Sequence, residues 1–209
     1  MRAEEFAELS GVSRETLERL TTYLELLRKW NGAINLVGAS TLADPWRRHF
    51  WDSAQLLPLL PSARSVVVDL GSGGGFPGLV LAIAAGDRTN VHLVESDRRK
   101  ATFLREAARA TATEVAVHSE RAETPSKPVK ADVITARALA PISVVLELAA
   151  AFAQPETQFL LLKGSQTHNE LTEARKHWTM TVDVHPSRSD ASGFMVQIKR
   201  AIRHDRSIG

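Results

Sequence analysis

The spacing of apolar positions changes once along the chain, and the change divides it in two. Up to about residue 60 the spacing is helical: Leu17, Leu20, Leu24 and Leu27 fall on one face of a helix. Ser13 is placed to cap that helix, Val12 and Leu17 to staple it, and Glu15 to complement its dipole, while Asn31-Gly32 reads as the stop. A second helical piece is expected over residues 46–57, and Pro58 and Pro61 mark an exit near Ser62. Residues 1–61 therefore read as a helical extension packed on a core formed by residues 62–209.

Beyond residue 62, short apolar runs alternate with helical stretches. Strands are expected over 66–69, 91–95, 115–118, 132–135 and 158–162, and helices over 78–85, 98–111, 142–153 and 169–178. Asp97 caps the second of these helices, and Pro141 suits the first turn of the third. Alternation of this kind means a parallel sheet with helices on both faces. At the end, 181–184 and 194–199 are separated only by a polar loop and read as an antiparallel hairpin at the sheet edge. The expected class is α/β: a mostly parallel seven-stranded sheet with one antiparallel edge strand and a helical N-terminal extension.

Composition restricts the chemistry more than the fold. The 44% hydrophobic and 24% charged residues are ordinary for a globular chain, so neither disorder nor a membrane class is indicated. No apolar run reaches the roughly 18–20 residues that span a bilayer. Met1-Arg2-Ala3-Glu4-Glu5 has acids where a signal peptide has bases, and the cytoplasm is the expected location. With no cysteine, disulfides, thiolate zinc sites and thiolate nucleophiles are excluded. Methylation at C5 of a pyrimidine, which normally needs a cysteine adduct, is disfavoured with them. Seven histidines show no paired ligand spacing, so no metal is expected. A net charge of +2 does not announce nucleic-acid binding, and a basic footprint must come from clusters. The candidates are Arg47-Arg48-His49, Arg98-Arg99-Lys100 and the tail residues Lys199, Arg200, Arg203 and Arg206.

The most informative string is Asp69-Leu70-Gly71-Ser72-Gly73-Gly74-Gly75-Phe76-Pro77-Gly78, between a strand and a helix. A glycine turn there brings backbone N–H groups close to a ligand. Its acid-x-Gly-x-Gly-x-Gly form resembles motif I of class I S-adenosylmethionine-dependent methyltransferases. Gly73, Gly75 and Gly78 also satisfy the weaker G-x-G-x-x-G pattern of nicotinamide enzymes. The acid before the loop, and the lack of room for a dehydrogenase substrate domain, favour S-adenosylmethionine. Glu95 ends the second strand beside this loop, and its two oxygens match a ribose diol. Lys163, after the fifth strand, faces the same cleft.

A narrower resemblance comes from five strings in order: Arg48-His49-Phe50-Trp51-Asp52-Ser53, the glycine loop, Arg121-Ala122-Glu123, Arg137-Ala138 and Leu162-Lys163-Gly164. Together they resemble the small-subunit (16S) ribosomal RNA guanine-N7 methyltransferase family, over nearly the whole chain. That resemblance implies cofactor contacts at Asp69, Gly71, Gly73, Phe76, Glu95, Ala122, Glu123 and Arg137. It implies RNA contacts at Arg48, His49 and Lys163, and a looser match at Lys199 and Arg200. It also implies S-adenosyl-L-methionine as cofactor, and 16S ribosomal RNA or a small-subunit assembly particle as partner, with the enzyme a monomer. The loop after the fourth strand lacks the Asp/Asn-Pro-Pro-aromatic run of amine methylating enzymes, so a ring nitrogen with a free lone pair is the better target. No general base is expected, and Arg137 should hold a carboxylate or phosphate because an arginine on O6 and N7 would occupy the attacking lone pair. A methyltransferase of a small molecule or protein stands as the alternative, with a non-catalytic RNA-binding protein and a dehydrogenase behind it.

Overall fold

The computed structural model describes residues 1–204. Arg206 and the end of the expected core lie outside the described residues. Seven strands form one sheet: β1 (Ser65–Leu70), β2 (Thr89–Val94), β3 (Val115–His118), β4 (Val133–Arg137), β5 (Gln158–Lys163), β6 (Trp178–Pro186) and β7 (Phe194–Arg203), in the order β3-β2-β1-β4-β5-β7-β6. β3, β2, β1, β4 and β5 are parallel, while β7 runs antiparallel to both β5 and β6. The hairpin closes the sheet as expected, with the reversed strand β7 one place in from the edge and β6 outermost.

The order reverses between β1 and β4, and the crevice at the carboxyl ends of these strands is where open α/β sheets bind ligands. The helices are α1 (Ala3–Ser10), α2 (Arg14–Asn31), α3 (Asp52–Ala54), α4 (Gly78–Ala85), α5 (Arg98–Ala110), α6 (Ile142–Leu148) and α7 (Thr167–Ala174). Ser13 caps α2 by accepting from Thr16 N–H at 3.1 Å, and Asp97 caps α5 through Arg99 and Lys100 N–H. The caps act where the sequence places them.

Two helix ends differ from expectation. The helix expected over 169–178 stops at Ala174, because Trp178 opens β6 and pairs with Arg203 of β7. The helix expected to run to residue 153 stops at Leu148; turns follow, and Phe152 C=O accepts from Ala131 N–H at 2.9 Å. In the first place strand pairing, and in the second a long-range backbone bond, outweighs local helical preference.

The extension shares one core with the sheet. Phe6, Leu20, Tyr23, Leu24, Leu27 and Phe50 pack with Leu79, Ile83, Phe103 and Leu104 from α4 and α5. A second cluster on the opposite face joins Val68, Ile134, Ile142, Leu146, Phe159 and Ile198. Burying both faces of the central strands β1, β4 and β5 explains why they read as continuous apolar runs. Among the described residues no helix is long and apolar enough to cross a membrane.

Candidate active site

The glycine loop is held from three sides. Ser72 N–H donates to Val94 C=O of β2 at 3.1 Å, Gly73 N–H to Glu95 Oε2 at 2.8 Å, and the Tyr23 hydroxyl of α2 to Gly74 C=O. Tyr23 also stacks on Phe76, with ring centroids 5.3 Å apart. Gly71 takes a φ of +64°, the left-handed region that favours glycine, and a Cβ there would also push aside Leu139 of the loop after β4.

Asp69 corrects one expectation: it is wholly buried and does not line the cavity. The β1–β4 register sets it opposite Thr135, whose hydroxyl donates to Oδ1 at 2.7 Å, and Oδ2 has no partner. Burial pushes the carboxyl up to about 6, against the Thr135 hydrogen bond. Asp69 is therefore a buried support beneath the loop.

Beside the loop opens a cavity of about 720 Å³, lined by the glycine loop, Phe76, Arg137–Pro141 and Lys163, and by Arg48, His49 and Asp52 from the extension. The segment Trp46–Trp51 winds as a wide π-type turn, with Asp52 N–H reaching back to Arg47 C=O. Such turns recur at functional sites. The short helical piece expected there thus has a different geometry, and it brings Arg48, His49 and Asp52 to the cavity.

Arg137 is the centre of this group. Its Nη1 donates to Arg48 C=O at 3.1 Å and to His49 Nδ1 at 2.9 Å, and stands 3.6 Å from Asp52 Oδ2. The guanidinium lies over Phe76, 4.9 Å from the ring centroid. Nη2 and Nε bond to no described residue, so half of the fork remains available for an anion.

His49 was expected at an RNA surface, and the structure instead buries it at 4% exposure. A guanidinium only donates, so Nδ1 accepts and Nε2 carries the proton, which it gives to Thr41 Oγ1 at 2.8 Å. Thr41 in turn donates to Gly38 C=O at 2.6 Å. Burial, then the charges of Arg137 and Arg48, lower the imidazole pKa to about 3. His49 is thus a neutral positioning group for Arg137.

A pH prediction follows. The folded pKa lies below the unfolded value, so between about pH 3 and 6.5 the unfolded chain binds the extra proton and stability falls with pH. The slope is at most about 1.4 kcal/mol per pH unit. Asp69 acts the other way, because its raised pKa lets the folded form hold a proton between about 3.8 and 6. In urea titrations at pH 6.5 and 5.0, His49→Gln should lose about 1–2 kcal/mol less than wild type. Asp69 is common to both proteins and cancels; equal losses would acquit His49.

Arg48, expected at an RNA surface, lines the cavity and pairs with Asp190 at 2.6 Å; Ser192 N–H, and then Arg48, holds the Asp190 carboxyl down to about 2. Asp52 accepts from the Ser189 hydroxyl at 2.6 Å, and burial raises its pKa. Lys163 also lines the cavity, but its ammonium is spent on Ala140 C=O and on Glu170 Oε2 at 2.7 Å, and it has only 8% side-chain exposure. It anchors the loop after β4 and offers no free cation. Lys199 and Arg200 lie on β7 five and six residues past Phe194, the partner of Lys163. At about 3.3 Å per residue they stand on the order of 16–20 Å from the cavity edge, at the opposite end of the sheet.

The expected cofactor residues fall into two groups. Gly71, Gly73, Phe76 and Arg137 line the cavity, whereas Glu95, Ala122 and Glu123 lie beyond the loop at the ends of β2 and β3. Glu95 accepts from Gly73 N–H and from Asp97 N–H, each at 2.8 Å through a different oxygen. Each oxygen keeps a second acceptor direction, as a diol requires. Ala122 is buried against the sheet and Glu123 is exposed. A diol acceptor on one side of the glycine loop and a half-free arginine on the other fit a nucleoside bearing an amino-acid carboxylate.

Comparison with known proteins agrees. The family model described as "GidB: rRNA small subunit methyltransferase G" matches residues 16–192. "Ribosomal RNA small subunit methyltransferase G" of Rhodospirillum centenum is 54% identical over 208 residues, covering 100% of this chain and 95% of that protein. The protein of the same description from Rhodospirillum rubrum is 55% identical, covering 95% and 97%. Among solved structures, a SAM-dependent methyltransferase from Aquifex aeolicus has a TM-score of 0.59 at 18% identity, covering 76% of this chain and 95% of its own. Aeropyrum pernix fibrillarin, in complex with natively bound S-adenosyl-L-methionine, has a TM-score of 0.56 at 18% identity and covers 75% of each chain. The two solved structures show a shared fold, and the family match with its relatives shows that this chain belongs to the GidB family of small-subunit ribosomal RNA methyltransferases.

Proposed function

We propose that this chain binds S-adenosylmethionine at the carboxyl edge of the sheet and methylates N7 of a guanine in 16S ribosomal RNA. The observation that carries the reading is the glycine loop set between Glu95 and Arg137, in a chain of this family. In the proposed pose Glu95 takes the ribose hydroxyls, Gly71, Gly73 and Phe76 bound the cofactor, Ala122 and Glu123 flank the base, and Arg137 takes the carboxylate through Nη2 and Nε. Asp69 supports the loop from below. The bound cofactor supplies an electrophilic methyl on a sulfonium.

The protein's own work is then orientation. Guanine N7 presents a lone pair at neutral pH, so no proton has to be removed before attack. The two nitrogen bases beside the loop are already engaged: His49 Nδ1 is occupied by Arg137, and Lys163 is paired with Glu170. Alignment of nitrogen, methyl and leaving group by a rigid cavity is an adequate source of rate. Arg48 at the rim supports RNA approach, and the enzyme acts as a cytoplasmic monomer on free RNA or an assembling subunit.

The test is mass spectrometry of small-subunit ribosomal nucleosides from cells with and without the gene. The expected result is loss of 7-methylguanosine in the deletion strain, with methylation restored in vitro by purified protein. The two substrate forms are compared in the same assay. Unchanged 7-methylguanosine, or no calorimetric response to S-adenosylmethionine, would overturn the reading.

A further inference from the structure

Three carboxylates line the cavity, and their partners distinguish them. Asp190 has both oxygens engaged, Oδ2 by Arg48 at 2.6 Å and Oδ1 by Ser192 N–H at 2.9 Å and its hydroxyl at 2.8 Å. Asp52 takes the Ser189 hydroxyl on Oδ1 and faces Arg137 with Oδ2. Glu170, on α7, is different. Its Oε2 accepts from Ile142 N–H at 3.0 Å and is ion-paired with Lys163 Nζ at 2.7 Å, so that oxygen is already engaged twice. Oε1 accepts from no described residue, and the side chain keeps 22% exposure.

The fold places this free oxygen on the side where a substrate has room. Glu95 and the glycine loop follow β2 and β1, whereas Lys163 follows β5, across β4 from them, and holds Glu170. A cofactor over the β1–β2 half leaves the β4–β5 half to the methyl acceptor. There the loop Ala138–Pro141 is fixed at its end by Ile142 N–H on Glu170 and at Ala140 C=O by Lys163. The carboxylate is thus rigid, charge-compensated, and has one oxygen open.

Guanine attacking through N7 must turn its N7/O6 edge toward the methyl. Its opposite edge, with N1–H and the exocyclic N2 amine, then points away and needs acceptors. We propose that Glu170 Oε1 reads that edge and is a specificity-determining residue of the reaction; this rests on the guanine-N7 reading above. Adenine presents a bare N1 and no N2 amine there, so it would leave the carboxylate facing a lone pair. Buried polar groups left unpaired are what reject such an analogue.

The experiment first locates the guanine that wild-type protein methylates, by mass spectrometry of RNA fragments. That position is then rebuilt as guanosine or as inosine, which lacks only the N2 amine. Wild type should lose about tenfold in kcat/KM on inosine, as loss of one hydrogen bond to a charged group implies. Glu170→Gln should be slower on guanosine RNA by about 10- to 100-fold and should favour guanosine over inosine by less than about twofold. Its affinity for S-adenosylmethionine should stay within about twofold of wild type, since Glu170 lies on the other half of the cavity. If the lone Lys163 ammonium unsettles that variant, Glu170→Gln with Lys163→Met removes both charges and should show the same loss of discrimination. Variants that slow both RNAs alike and keep the tenfold preference would make Glu170 a loop anchor and overturn the proposal. A wild type that methylates no guanine would bring down the functional reading, and this proposal with it.

Discussion

Arg137→Lys should lower the methylation rate at saturating cofactor by about 100-fold while leaving the protein folded. Lysine keeps the charge near Asp52 but has no fork. It cannot reach Arg48 C=O and His49 Nδ1 on one side while keeping further N–H donors for a ligand, as the Nε and Nη2 of Arg137 do. Arg137→Ala should cost more activity and also about 1–3 kcal/mol of stability, because the half-buried Asp52 then loses its ion-pair partner and keeps only the weaker influence of Arg48. Adding Asp52→Asn should recover most of that stability without recovering methylation. Single-turnover assays with urea unfolding of the same three proteins separate the two losses. An Arg137→Lys enzyme with more than about a third of wild-type rate would show that the fork has no part in the reaction.

The centre of the sheet was legible because its strands are buried on both faces and so appear as uninterrupted apolar runs, as Val66-Val67-Val68 and Phe159-Leu160-Leu161-Leu162 do. The glycine loop, the Asp97 cap and the Ser13 cap were legible for a local reason: each needs a particular residue at a particular backbone geometry. Charged positions were harder to place. Lys163 and His49 have the composition of an RNA-facing surface, yet their partners, Glu170 and Arg137, stand 7 and 88 residues away. The His49 pairing spans too much sequence to show in any local window, and the Lys163 pairing depends on how the turn after β5 folds back, which residue spacing alone does not give. Asp52, Thr41, Ser189 and Asp190 were missed as cavity residues for the same reason, although Asp52 stood inside a string already singled out. That Lys199 and Arg200 stand away from the cavity was not legible either, since only the pairing of Phe194 with Lys163 shows which end of β7 reaches it.

Gly78→Ala should be a severely damaging single methyl addition. Gly78 opens α4 directly over the neighbouring pair Asp69 and Leu93 of β1 and β2. A Cβ there would stand 2.6 Å from Asp69 Cβ, 2.6 Å from Leu93 Cδ2 and 2.7 Å from Asp69 Oδ2. Neither neighbour has room to retreat, because Asp69 is wholly buried and held by Thr135, and Leu93 is wholly buried in the core. The helix must therefore lift from the sheet, and it takes with it the Leu79 N–H bond to Gly75 C=O that closes the glycine loop at 2.9 Å. Overpacking of this kind should cost about 2–3 kcal/mol and lower cofactor affinity at least about tenfold. Gly32→Ala is the matched control: its nearest neighbour would be Lys29 C=O at 3.8 Å, and its φ of −67° suits any residue. That substitution should change stability by less than about 0.5 kcal/mol. If urea unfolding and calorimetry found the two variants alike, close contact at Gly78 would not be what seats the loop, and the shape of the cofactor cradle would need another cause.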